Sequence, residues 1–248
     1  MIINWPIVIV LFCLSLPGVL IAVPRLLAVL LPNNSEELRK RVGKLAIGQT
    51  LFMLMLMNIA GSVLSLRTGF TAPILDNLLL GRSVVGPLVE MLPPVLFATL
   101  VGLLIFFILY YAVVASILDE QSLKIMWRIR AALSLDGCIL YGAVVEEIIA
   151  RWGLMNVIAF FAILFAGQLS EFTIWISIIT SGILLALLQL PAYFAAGCLP
   201  GRRFIYAVLI LTIWQAIIFG WLFWHYGLVA AIISHTLFHL GWYLYDRT

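Results

Sequence analysis

Charge is what this chain has least of: Asp, Glu, Lys and Arg supply 10% of its 248 residues, against roughly 25% in soluble domains. So little polar surface excludes a water-soluble globule, a disordered chain and a nucleic-acid-binding domain. Cysteine is scarce too. Cys13, Cys138 and Cys198 stand singly inside or beside apolar runs, which excludes a CxxC metal pair and an even-numbered disulfide framework. They are expected to be buried thiols without special chemistry. No internal repeat or low-complexity tract stands out, which argues against an inverted-repeat transporter despite the buried acids.

What remains is apolar: 65% of residues are hydrophobic and the mean hydropathy is +1.18. Long apolar stretches broken by Pro, Gly and short charged clusters are the pattern of a helical integral membrane protein. Because a span needs about 20 apolar residues, the sequence divides into seven, at about 4–24, 45–66, 95–118, 136–165, 172–196, 204–224 and 227–246. The expected fold is all-α, a polytopic transmembrane helix bundle forming one membrane domain over 1–248. The first span lacks any Lys or Arg before Arg25, so it reads as a retained helix bent by Pro6, Pro17 and Pro24 and not as a signal peptide. The fourth span exceeds one crossing and is expected to kink near Gly153 and continue to Gly167. Segment 67–94 is rich in Gly and Pro and reads as a long connection with an interfacial helix near Asp76 to Leu80.

Cations fix the expected orientation. Seven spans place Arg25, Arg39, Lys40, Arg41, Lys44, Lys124, Arg128, Arg130, Arg202, Arg203 and Arg247 on one side. The other side receives Arg67 and Arg82, and Arg151 falls inside a span. The positive-inside rule then puts the amino terminus outside and the carboxyl terminus in the cytoplasm, in the cell inner membrane. The Arg39 to Lys44 cluster reads as a solvated cytoplasmic face. Aromatic residues around 221–226, with His225 among them, and around 242–245 read as interfacial anchors.

An ionisable side chain near the bilayer centre costs about 3 kcal/mol on the insertion scale and must find a partner. Here such groups cluster. Glu146, Glu147 and Arg151 lie in the fourth span, Gln189 interrupts the fifth, and His235 and His239 lie in the seventh. At 1.5 Å per residue, Glu147 and His235 both fall ~16 Å below the expected cytoplasmic ends, Gln189 ~12 Å and His239 ~10 Å. Lipid-facing placement would leave each unsatisfied, so a shared cavity reached from the cytoplasmic half is expected. Glu147 and Arg151, four apart, share a helix face in the favourable order for an ion pair. Glu146 points about 100° away, which leaves it the freer carboxylate and suits it to proton transfer. His235 and His239 are also four apart and can face one substrate oxygen or one metal ion.

These residues resemble the motifs of the CPBP family of intramembrane proteases, the CAAX protease and bacteriocin-processing enzyme family. EExxxR is complete as Glu146, Glu147 and Arg151. The second motif, FxxxH, stands in the similar context LALLQLP, but with Leu185 for Phe and Gln189 for His. The third, HxxxN, has His235 with His239 in place of Asn. The resemblance covers roughly Gly137 to Leu240. It implies peptide hydrolysis in the membrane on a membrane-associated peptide or protein substrate. Glu146 is then the general base, Gln189 holds the water, His235 and His239 polarise the carbonyl, and Glu147 and Arg151 orient the site. No cofactor is implied. Beside this stand two other readings. Glu147, His235 and His239 could ligate zinc, although HExxH is absent. A carboxamide cannot titrate, so Gln189 could also mark a non-catalytic member that acts as a membrane binding, immunity or regulatory protein.

Overall fold

The computed structural model describes residues 3–246. Among them all regular structure is helical, and seven helices are long and apolar enough to cross a membrane. They are α1 (Trp5–Leu30), α2 (Glu36–Thr68), α4 (Val85–Ile117), α5 (Glu120–Ala166), α6 (Glu171–Ala195), α7 (Arg202–Tyr226) and α8 (Leu228–Asp246). A short helix, α3 (Pro73–Leu79), lies in the connection before α4. Arg247, counted above with the cytoplasmic cations, lies outside the described residues.

Helix ends follow from local chemistry. The Ser35 side chain accepts from the Leu38 N–H and the Asp119 side chain from the Ser122 N–H, while Ser170 and Thr173 form a reciprocal capping box. Gly69 and Gly167 end α2 and α5 with left-handed φ of 74° and 79°. The helices exceed the expected spans where charged residues continue them, as in the first turns of α2 and α5. Pro93 and Pro94, expected in the connection, lie inside α4, and Pro17 and Pro24 lie inside a single α1. Prolines inside membrane helices are tolerated because neighbouring helices and local adjustments satisfy the freed carbonyls.

The expected kink near Gly153 is not where α5 breaks. The break is at Ser134, whose φ and ψ are 53° and 178°. Arg25 of α1 holds it: Nη1 donates to Leu133 O at 2.7 Å, and to Ser134 Oγ and Asp136 Oδ1 at 2.8 Å each. Gly153 instead serves close packing, since a Cβ there would come within 2.6 Å of Met57 Cβ on α2. Beyond the break α5 is π-helical over Cys138–Glu146 and Ile148–Met155.

This π-helical stretch is the axis of the bundle. Its first half packs on α1 and α8, its second on α2 and α6. Small residues bring the other helices together: at Gly182 of α6 a Cβ would sit 2.5 Å from Ala216 Cβ of α7. Cys138 and Cys198 are buried as expected, but Cys13 is exposed on the outer face of α1. Phe52, Phe97, Phe165 and Phe172 are likewise exposed, as suits a surface that meets lipid.

Candidate active site

Neighbouring side chains on a helix diverge by about 100°, and the two glutamates of α5 go to different places. Glu147 goes inward. Its Oε1 accepts from His235 Nδ1 at 2.9 Å and its Oε2 from Arg151 Nε at 3.2 Å. Arg151 Nη1 donates onward to Ser181 Oγ on α6 at 3.0 Å. Glu147, Arg151 and His235 are 0%, 1% and 4% exposed, so this chain is a buried polar network in which each member has a partner.

Glu146 faces a cavity of about 560 Å³ that Gln189, His235 and His239 also line. Gln189 Nε2 lies 3.4 Å from both Glu146 oxygens, a long forked contact in which the amide donates. The two imidazoles are stacked, with centroids 4.7 Å apart and planes 22° apart. Phe219 of α7 stacks on the other face of His235 at 4.4 Å. The six residues singled out in the sequence thus converge from α5, α6 and α8. Glu146, Gln189 and both histidines form the cavity wall; Glu147 and Arg151 sit behind it.

Sequence reasoning missed three members. Arg130, counted above among the cations of the cytoplasmic side, lines the cavity, with Nη1 3.4 Å from His239 Nδ1. Its guanidinium lies 3.8 Å over the ring of Trp242, which therefore belongs to the cavity wall and is no simple interfacial anchor. Ser181 had no signal beyond its apolar surroundings. The Ser134 break turns the amphipathic start of α5 back over the cavity, and no residue pattern announces that fold-back.

Among the described residues no three His, Cys, Asp or Glu side chains are grouped to hold a metal ion. Glu147, His235 and His239 are not gathered in this way: His235 and Arg151 contact the two Glu147 oxygens, and His239 Nδ1 faces a guanidinium.

The fold is a multi-pass helical bundle that gathers an acid, an amide and two imidazoles around one cavity. The comparison with known families adds a similarity: residues 128–241 match the family described as type II CAAX prenyl endopeptidase, Rce1-like. This is the resemblance that EExxxR carries, and it supports a CAAX-type intramembrane endopeptidase in general. The match spans the six residues singled out in the sequence and starts early enough to include Arg130, but ends one residue before Trp242. No curated protein and no solved structure matches the chain.

Proposed function

We propose that the protein is an intramembrane endopeptidase that hydrolyses a peptide bond of a membrane-associated substrate, with Glu146 as general base. The observation that carries this reading is the Glu146 carboxylate facing the Gln189 amide and two imidazoles in one cavity. Glu146 takes a proton from water, and the hydroxyl oxygen adds to the scissile carbonyl carbon. Imidazole N–H on α8 stabilises the oxyanion. The C–N bond then breaks as Glu146 returns the proton to the leaving amine. Gln189 orients carboxylate and water without itself titrating. Glu147 and Arg151 fix the His235 ring. The family description makes a CAAX-type terminus the first substrate to try, and the aromatic lining from Phe106, Tyr110 and Trp127 suits an apolar neighbour of the cleaved bond.

The test compares turnover of a membrane-anchored peptide by purified wild type, Glu146→Gln and Gln189→His. Loss of cleavage in Glu146→Gln supports the assigned base; equal cleavage in that variant and wild type removes it. Cleavage that arises only in Gln189→His supports the second reading, a non-catalytic binding or regulatory member in which Gln189 replaces a proton-handling His. The proposed reaction uses no metal, so EDTA leaves turnover intact; inhibition reversed by zinc would favour metal chemistry instead.

A further inference from the structure

Between Arg203 and His225, α7 carries one carboxamide and one aliphatic hydroxyl, those of Gln215 and Thr212. Both line the cavity together with Val208 and Leu211, and the four positions share one helix face. One turn beyond Gln215, Phe219 stacks on His235. The stripe therefore runs from the histidines toward the Arg202 end of α7. Neither polar side chain of the stripe makes a hydrogen bond among the described residues. Thr99, Ser177 and Thr236, also inside spans, each donate to the carbonyl four residues earlier, at 2.6, 2.7 and 2.8 Å; Thr212 does not. Gln215 is nevertheless held in register from both sides. Trp214 Nε1 donates to Gly102 O of α4 at 2.8 Å, and buried Ala216 packs where Gly182 of α6 leaves it room. Polar groups inside a membrane bundle are costly unless hydrogen-bonded, so an amide fixed there without a protein partner points to a ligand.

We propose that Gln215 and Thr212 form a subsite for the main chain of an extended peptide, in which the Gln215 carboxamide pairs with the N–H and C=O of one peptide residue. An extended residue turns its N–H and C=O to the same side, as in a hydrogen-bonded strand pair. A carboxamide meets both, Oε1 accepting from the N–H and Nε2 donating to the C=O, and the Thr212 hydroxyl adds a contact one turn along. Both groups are uncharged, which suits a neutral main chain; the cavity's cations, Lys124 and Arg130, stand on α5. Gln215 lies four residues from Phe219, about 6 Å along α7, and an extended chain rises about 3.3 Å per residue. The paired residue is therefore about two positions from the one that meets Glu146 and His235. Such pairing adds affinity and holds register without selecting a side chain. That the bound peptide is the substrate rests on the proposed peptidase reading, which this subsite deepens; the binding itself does not.

The experiment measures binding of a membrane-anchored peptide with a CAAX-type terminus to full-length Glu146→Gln protein in detergent micelles. Esters replace the peptide's amides one at a time on both sides of the scissile bond, each removing one N–H. One ester is expected to weaken binding about 3- to 10-fold, the worth of a single hydrogen bond, and to have no effect once Gln215→Leu is added. Ester effects that are the same with and without Gln215→Leu would overturn the proposal, because a merely structural glutamine would weaken all the peptides alike. A second measurement needs no peptide. The amide has no protein partner to lose, so Gln215→Leu is expected to leave the thermal midpoint of the ligand-free chain at or above that of wild type; a lowered midpoint would show that Gln215 holds the fold and would also overturn the proposal. In the active chain Gln215→Leu is expected to raise KM about 3- to 10-fold with kcat within about twofold. Coupling between one ester and Gln215 in a chain that hydrolyses no peptide would refute the peptidase reading and leave the subsite standing, whereas hydrolysis without coupling would refute the subsite alone.

Discussion

Glu147 Oε1 and His235 Nδ1 lie 2.9 Å apart and tie α5 to α8 across 88 residues of chain. The other Glu147 oxygen holds Arg151, and Arg151 holds Ser181, so one carboxylate links three helices. Neither partner has access to solvent that could replace it. The pair therefore positions the site and supports the fold at once.

Removing Glu147 strands a guanidinium that is 1% exposed. Breaking a buried pair by deleting one partner costs about 3–5 kcal/mol. Glu147→Ala is expected to lower the thermal unfolding midpoint in detergent far more than Glu146→Gln, whose carboxylate has only a forked amide contact. Thermal melts followed by reaction of buried Cys138 and Cys198 measure this. Similar midpoints for the two variants would show that the network does not hold the bundle.

Among the glycines of α5, Gly142 is the one where a methyl group would be driven against His239. An alanine Cβ there meets His239 Nε2 at 2.5 Å, so the ring must move while the rest of the helix is undisturbed. Gly142→Ala is expected to reduce peptide turnover about 10- to 100-fold, the usual effect of displacing a supporting contact, with little change in melting. Gly48→Ala, where nothing lies within 4 Å of the new Cβ, is the control and is expected to leave both unchanged. Equal turnover in the two variants would place His239 outside the reaction.

Much of this site was legible because it depends on short-range periodicity. Four-residue spacing put Glu147 with Arg151 and His235 with His239, and the helical step between neighbours separated Glu146 from Glu147. Span number followed from apolar length alone. What escaped depended on the path of the chain. Ser134 looks like any serine two residues before an acid, yet its left-handed backbone, clasped by Arg25, bends α5. That bend brings Arg130, counted with the cations of the cytoplasmic side, into the cavity wall and lays it on Trp242. Gly153 misled for a related reason: glycine marks breaks and close contacts alike, and here it makes room for Met57.

The turn before α5 gives a pH dependence outside the membrane-spanning segments. Asp119 accepts from the backbone N–H of Ser122 and from its hydroxyl, at 2.8 Å each. These bonds favour the charged form and hold the carboxyl below its ordinary 3.8. The unfolded chain takes up the proton first, so the cap stabilises the fold fully above the ordinary value, and this contribution disappears as pH falls through the lowered one. The difference in melting midpoint between wild type and Asp119→Ala is expected to be constant above about pH 5 and to shrink in stronger acid. A difference that persists at the acid end would show that the cap does not work through its charge.

Orientation follows from where the cations lie relative to the helices. Arg39, Lys40, Arg41 and Lys44 occupy the first turns of α2, and Lys124 and Arg128 those of α5, on the same side of the bundle by an even number of crossings. Positive residues favour the cytoplasmic face, so the turn between α1 and α2 is expected inside and the turn between α3 and α4 outside. Cysteines placed at exposed Asn33 and exposed Arg82, in a chain whose own three cysteines are replaced by alanine, report this directly. A membrane-impermeant maleimide added to intact cells is expected to label Arg82→Cys at once and Asn33→Cys only after permeabilisation. The reverse pattern would turn the cavity toward the outside, and the peptide would then have to be sought among substrates that reach the enzyme from beyond the membrane.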